Sequence, residues 1–346
     1  MLVAHLMSLP ERILGYTAQV RRILQEPEMR KTELKRITAA LRQLTPAQRK
    51  VVSAELAELS AQPASTVLIE GRFAAAAACP HCASKRVIRH GHANGLQRYR
   101  CRECRKTFSA LTGTPLCGLH KRGKWLDQAE ALRVGLTLHQ VADALSIHVS
   151  TAHRWRHRFL AQPKTVQPRA LTGIAEADET MFLLSFKGKR SGLGRSARKR
   201  GGRAAKRGLS HEQVPVLVAR DRAGATMDCV LKAMDMTTLS AALKPFLARD
   251  VVLCTDGSPA LAGAARQLGV EHHAINLAAG IRVDGAWHVQ NVNAYHSRLK
   301  SWIHKFRGVA TCYLENYLGW FRALDREPAG SQKPAHWLAM ALGGVD

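Results

Sequence analysis

Two cysteine pairs, Cys79-Pro-His-Cys82 and Cys101-Arg-Glu-Cys104, stand 18 residues apart and constrain this chain more than any other feature. A C-x-x-C turn aims two thiolates at one point, and two such turns at this spacing supply the four ligands of a tetrahedral zinc ion, the zinc-ribbon pattern. Gly91 and Gly95 break the segment between the pairs, and the run Gln97-Arg98-Tyr99-Arg100 alternates into the second pair. Redox dithiols or four unrelated buried thiols are the alternatives, but redox C-x-x-C motifs seldom come in pairs at this spacing. A ribbon over residues 75–112 is therefore expected, holding one structural Zn²⁺ through Cys79, Cys82, Cys101 and Cys104. Arg98, Arg100, Arg102, Arg105 and Lys106 make that module basic.

Basicity extends to the whole chain. Over 346 residues, 52 Lys and Arg face 26 Asp and Glu, a net charge of +26. Such an excess suits a polyphosphate backbone better than most protein surfaces, so double-stranded DNA is the expected partner. An anionic membrane surface is the competing explanation, yet no run of 18 apolar residues exists to span a bilayer. Residues Met1 to Pro10 lack the basic start and cleavage site of a secretory signal. Cys117, Cys229, Cys254 and Cys312 follow no spacing logic, as reduced thiols would. A cytoplasmic, DNA-facing protein of two or more domains is expected.

Hydrophobic periodicity divides the chain. Residues 1–70 read as helical, with Ile13, Val20, Ile23 and Leu24, then Leu34, Ile37, Leu41 and Leu44 at helical steps. Thr45-Pro46 predicts a helix start running to about Leu59, and Gln62-Pro63-Ala64-Ser65 reads as a linker. Residues 118–165 have the length and order of a helix-turn-helix. Trp125, Ala129, Leu132 and Leu136 mark one helix, Leu138 to Leu145 a second, and Ser150 to Leu160 a third after the turn Ser146 to Val149. Ser150 is expected to cap the last helix. Thr151, His153, Arg154, Arg156, His157 and Arg158 would then face phosphates or bases. A merely solvated basic face is the plainer alternative.

Residues 187–207 carry Lys187, Lys189, Arg190, Arg195, Arg198, Lys199, Arg200, Arg203, Lys206 and Arg207 among glycines and small residues, with no acid. The run reads either as a solvated stretch or as an insertion that grips phosphates. Around it lie strand-like segments: Ile174 to Leu184, Val214 to Arg220 and Thr226 to Leu231. A helix from Thr237 to Ala248, the buried-type strand Val251 to Thr255 and a helix from Pro259 to Leu268 follow. Three meandering strands, a helix and a parallel fourth strand resemble the ribonuclease H-like fold. That makes an α/β domain with a mixed five-stranded sheet and flanking helices. Asp178 inside the first strand and Asp256 at the tip of the fourth would be neighbours in it. Their mutual repulsion is of the kind that divalent cations relieve. Glu179 should point to the opposite face of its strand.

These pieces together resemble a family. The cysteine pairs and helix-turn-helix precede Glu176-Ala-Asp178-Glu179-Thr180. The tail reads His288-Val-Gln-Asn-Val-Asn293-Ala-Tyr-His-Ser-Arg-Leu-Lys300-Ser-Trp302, then Phe306-Arg-Gly-Val309 and Tyr317-Leu-Gly-Trp-Phe321. From about residue 75 to 325 the chain looks like bacterial insertion-sequence transposases of the DDE superfamily, in the branch with an N-terminal zinc ribbon. The resemblance implies a catalytic domain over 172–325, with a tail over 326–346. It also implies that the chain binds terminal inverted repeats, uses Mg²⁺ or Mn²⁺ to cut and join DNA, and acts at least as a dimer on paired ends. Asp178 and Asp256 match its first two acids. The usual glutamate is replaced by Asn293, with Lys300 seven residues on, sharing a helix face with His296 and Ser297. An Asn carbonyl still ligates a hard cation, and Lys300 could hold a phosphate. A non-catalytic DNA-binding regulator and a simple nuclease remain as other readings.

Overall fold

The computed structural model describes residues 31–75, 77–189, 191, 204–205, 210–276, 279–326 and 333–343. The chain divides into two compact units, residues 1–59 and 60–346. In the first, α1 (Lys31–Arg42) precedes the start of α2 (Pro46–Ala75). Thr45 and Gln48 form a reciprocal cap: the Thr45 amide donates to Gln48 Oε1 at 2.9 Å and the Gln48 amide to Thr45 Oγ1 at 3.3 Å. The expected linker is not one. Helix α2 continues through Pro63, although a proline removes one backbone donor there.

In the second unit, the end of α2 meets a three-stranded antiparallel sheet of β1 (Val87–Ala93), β2 (Leu96–Cys101) and β3 (Thr107–Ser109). Glu70 on α2 accepts from the Gln97 amide at 2.9 Å and from the Tyr99 hydroxyl at 3.1 Å. Phe73 packs on Tyr99 and Phe108, with ring centroids 4.3 and 5.6 Å away. This small core cannot bury much area by itself, which is why a metal or a helix must support it.

Three helices follow: α3 (Trp125–Arg133), α4 (Leu138–Ala144) and α5 (Val149–Phe159). Thr137 and Gln140 form the capping box that opens α4. Helix α5 starts one residue earlier than expected: His148 is its cap, accepting from the Ser150 amide, so Ser150 is a partner of the cap and not the cap itself. Ser146 takes the left-handed conformation in the turn between them.

The remaining chain forms a five-stranded mixed sheet in the order β6-β5-β4-β7-β8, from β4 (Ile174–Leu183), β5 (Gln213–Asp221), β6 (Thr226–Val230), β7 (Val252–Thr255) and β8 (Glu271–Ala274). β4, β5 and β6 pair antiparallel, while β7 and β8 run parallel to β4. Helices α6 (Met236–Leu243) and α7 (Pro259–Leu268) cover one face, packed on Ala175, Ala177, Leu217 and Ala219. Helices α8 (Gln290–His304) and α9 (Leu314–Arg326) cover the other, packed on Val214, Val216 and Val218. The alternation of faces along β4 and β5 is what a sheet covered on both sides requires. This arrangement fits the ribonuclease H-like fold that the strand pattern led one to expect.

The helix-turn-helix and the sheet domain are joined by a shared core. Trp125, Trp155, Phe159, Phe306, Trp320 and Trp337 are buried in one cluster, and the Trp320 indole donates to the Leu132 carbonyl at 2.9 Å. The segment expected as a tail contributes to it: α10 (Pro334–Ala341) buries Trp337 and Leu338 there. Gly319 lets α9 approach the chain at Lys164. A Cβ at that position would lie 2.4 Å from Lys164 Cα. Gly319→Ala should therefore cost about 1–3 kcal/mol of stability by overpacking, read as a lower denaturant midpoint. An unchanged midpoint would mean this contact is soft.

Candidate active site and cysteine cluster

The four cysteines come together. Cys79 and Cys104 Sγ lie 3.6 Å apart, as do Cys82 and Cys101, and all four sulfurs lie within 4.8 Å of one another. Sulfurs at the corners of a tetrahedron with Zn–S bonds of about 2.3 Å would be ~3.8 Å apart. The cluster is thus of the right size to hold one zinc ion.

Parallel pairing of β4 with β7 builds the acidic site. Their register runs Ile174 to Val252, Ala175 to Leu253 and Glu176 to Cys254. Two residues beyond its last pair, in the same direction along both chains, are Asp178, still within β4, and Asp256, just past the end of β7. Asp256 Oδ1 accepts from the Ser258 amide at 2.9 Å, which fixes the turn into α7. Gly257 in this turn has a φ of 81°, a conformation that glycine adopts freely. Glu179 belongs to the opposite face of β4, as expected. Even so, burial, and then the Asp178 and Asp256 charges, push its carboxyl up to about 7. Three carboxylates therefore crowd one sheet end.

Helix α8 faces Asp178. His296 is buried, with Nδ1 3.5 Å from Asp178 Oδ2. Asn293 and Lys300 lie one turn to either side of His296 and are exposed. Among the described residues, the cysteines are the one group of three or more His, Cys, Asp or Glu with ligand atoms this close together. Asp178 and Asp256 thus do not form such a group with His296 or Glu179. Sequence reasoning missed Glu176, which is fully buried beside α8. Its place on the same face as Asp178, two residues earlier, was the available signal.

On the helix-turn-helix the structure rearranges the expected DNA-facing set. Arg154 is exposed and Thr151 half-buried. Arg156 does not face outward: it is 1% exposed and donates to the Leu136 carbonyl at 2.6 Å and the Tyr317 hydroxyl at 3.3 Å. Its guanidinium lies over the Trp320 and Phe306 rings, at 5.1 and 5.5 Å. Arg158 donates to the Pro115 and Cys117 carbonyls. His157 stacks on Tyr313 at 3.7 Å, with His153 4.5 Å away. Burial, then the charges of His153 and Arg156, push the His157 imidazole down to about 3. Arg156, His153 and His157 meet the segment from Phe306 to Tyr317 and Arg158 the chain before α3, tertiary contacts with no local sequence signal.

The basic insertion is partly accounted for. Lys187 is not available to phosphates, because its ammonium donates to the Phe306, Arg307 and Gly308 carbonyls at 3.0, 3.3 and 2.7 Å. Lys189 is exposed. Arg190, Arg195, Arg198, Lys199, Arg200, Arg203, Lys206 and Arg207 lie outside the described residues.

With this geometry in place, the comparisons with known proteins are decisive. Residues 170–322 match the ISXO2-like transposase domain, and residues 121–163 match a Homeodomain-like domain. Residues 170–322 thus carry a transposase domain of the insertion-sequence type, as the sequence resemblance implied. A relative, an uncharacterized protein in transposable element ISH50 of Halobacterium salinarum, is 26% identical over 273 residues, 78% of this chain and 92% of its own. Among solved structures, a pre-cleavage Mos1 transpososome shares 15% identity over 63% of this transposase and 78% of that chain, with a TM-score of 0.20. A simian T-cell lymphotropic virus intasome in complex with PP2A regulatory subunit B56 gamma shares 12% identity over 60% and 77%, with a TM-score of 0.27. Overlaps of that size carry no argument, and the fold of the transposase rests on its strand order. Among the described residues, no helix is long and apolar enough to cross a membrane.

Two outcomes follow from the buried basic groups. Arg156→Ala should destabilise the transposase by on the order of 2–4 kcal/mol, through lost charge-assisted hydrogen bonds and ring contacts. Arg154→Ala should leave thermal unfolding unchanged, and equal effects would contradict the placement. A lowered His157 pKa means the unfolded chain takes up a proton first. The stability it contributes is therefore present above about pH 6.5 and lost as pH falls toward about 3. Its ring resonances should not titrate between about pH 8 and about pH 4; a midpoint inside that window would refute the burial.

Proposed function

We propose that this transposase binds the terminal inverted repeats of its element and cuts and joins their strands with divalent metal at Asp178, Asp256 and Asn293. The observation that carries the reading is the register that sets Asp178, within β4, beside the C-terminal end of β7 where Asp256 follows, with His296 of α8 against Asp178. Hard oxygen donors of this kind suit Mg²⁺ or Mn²⁺. Bound there, such ions supply Lewis-acid stabilisation of the attacking and leaving oxygens of a phosphodiester.

The chain's own residues do the rest. Asp178 and Asp256 supply charge, Asn293 a neutral carbonyl in place of the usual glutamate, and Lys300 a cation for the phosphate beside them. This is the Asn-and-Lys variant of the third catalytic position. His296 stands against Asp178 and restrains its carboxylate. Thr151 and Arg154 on α5 would read the element's ends, while Lys189 and the basic residues that follow it neutralise phosphates. One zinc held by the four thiolates keeps the basic ribbon folded. Paired ends imply at least a dimer on DNA.

Strand transfer on a pre-cut element end, with Mg²⁺ or Mn²⁺, tests the site. Asp178→Ala or Asp256→Ala should abolish joining and leave DNA binding nearly intact, and Asn293→Ala should raise the metal concentration required. Joining at the parent's rate by either aspartate variant would refute the site; binding without any joining by the parent would favour the regulator. The purified chain should carry about one Zn per molecule, lost with folding of the ribbon in Cys101→Ser. A folded ribbon without metal would exclude that role.

A further inference from the structure

Helix α8 carries Asn293, His296 and Lys300, and its first amide, that of Gln290, donates to His288 Nδ1 at 3.3 Å. Its cap position is Val289, whose side chain offers no acceptor, where Ser, Thr, Asp or Asn usually serves. The amide of the third helical residue, Val292, is met instead by Glu176 Oε2 at 2.9 Å, from strand β4. Glu176 Oε1 accepts from Asn291 Nδ2 at 2.9 Å and pairs with Arg222 Nη1 at 2.6 Å, with His288 Nδ1 at 3.4 Å. Arg222 also donates to the Ala286 carbonyl at 2.9 Å, so the loop entering α8 is tied to the same carboxylate.

Glu176 is 0% exposed. A buried carboxylate persists only where donors surround it, and here the Val292 amide, Asn291 Nδ2 and Arg222 Nη1 all point at it. Glutamine would turn an NH₂ group toward them, so this position selects a charged acceptor and not merely a polar one. The negative charge also sits where a helix N-terminus favours it. The same strand carries Asp178 two residues later, on the same face, so one short stretch of β4 both caps α8 and presents an acid to it.

We propose that Glu176 is a positioning residue, setting the axial register in which α8 offers Asn293 to the metal-holding aspartates. The inference rests on the reading of Asp178, Asp256 and Asn293 as metal ligands. Asn293 stands on α8 while Asp178 lies in β4 and Asp256 follows β7, so whatever holds α8 in register sets how readily Asn293 joins them. Groups that orient a metal ligand typically change metal affinity 10- to 100-fold.

The test uses the full chain and Mn²⁺ alone, with free Mn²⁺ read by electron paramagnetic resonance. Glu176→Gln should weaken Mn²⁺ binding roughly tenfold, and in an Asn293→Ala background the same change should add nothing. A merely structural ion pair predicts otherwise: a lower melting temperature, with Mn²⁺ affinity unchanged or lowered equally in both backgrounds. Either result would overturn the inference. Should Glu176→Gln fail to fold, Arg222→Met removes one donor and keeps the carboxylate. It should weaken binding less and be equally silent in Asn293→Ala; additive effects would again overturn the inference. Asp178→Ala separates the two levels. If it binds Mn²⁺ as the parent does, the metal-site reading fails and takes this inference with it. If it abolishes binding while Glu176→Gln leaves it unchanged, this inference alone fails.

Discussion

The parallel pairing of β4 with β7 is the constraint on which the functional part of this molecule depends. Parallel strands need a crossover between them, and here the crossover comprises β5, β6 and α6. Once the register Glu176 to Cys254 is set, β4 runs on paired with β5 while β7 ends at Thr255, so Asp178 stands within its strand and Asp256 just beyond the other. Asp178 and Asp256 become neighbours for a topological reason, whatever their own preference. Burial, and then those two charges, push the Glu179 carboxyl on the other face of β4 up to about 7. In a chain of net charge +26, this concentration of acid at one sheet end is a local exception that cations, and a phosphate backbone behind them, would complement.

A second constraint ties recognition to chemistry. Arg156 is on the last helix of the helix-turn-helix, yet its guanidinium is held by Leu136, Tyr317 and two rings that include residues of α9 and the loop before it. Desolvation lowers its pKa, as expected for a charge taken out of water and only partly compensated. Lys187 performs a comparable anchoring at the edge of the basic insertion, capping three carbonyls after α8. Basic residues that composition assigns to DNA are thus used internally to fasten the helix-turn-helix and the insertion to the sheet domain. Of the cations expected on the last helix and the insertion, Arg154 and Lys189 are exposed within the described residues.

Local signals made much of this legible. The capping box at Thr137, Pro259 at the start of α7 and the alternation of β4 each specify an element from a few adjacent residues, and the observed boundaries fall within a residue or two of those expected. The cysteine spacing specifies a cluster for the same reason. What was hidden depended on contacts distant in sequence. Pro63 reads as a break, but α2 runs through it. The end of the chain reads as a tail, but Trp337 completes the core around α3. Glu176 reads as a strand residue beside an aspartate, and only the docking of α8 reveals the three donors around it. In the site itself, the two aspartates were legible from strand position. His296 was placed on the right helix face but without its partner, because the 3.5 Å approach to Asp178 is set by sheet-to-helix packing.

The central claim is that Asp178 and Asp256 hold divalent cations against a DNA end. Anomalous diffraction from crystals of the full chain with its own pre-cut element end and Mn²⁺ tests it most directly. The account predicts anomalous peaks in contact with carboxylate oxygens of both Asp178 and Asp256, with the Asn293 side-chain oxygen joining them. Manganese bound elsewhere on the chain, with those two carboxylates empty beside the DNA end, would contradict it.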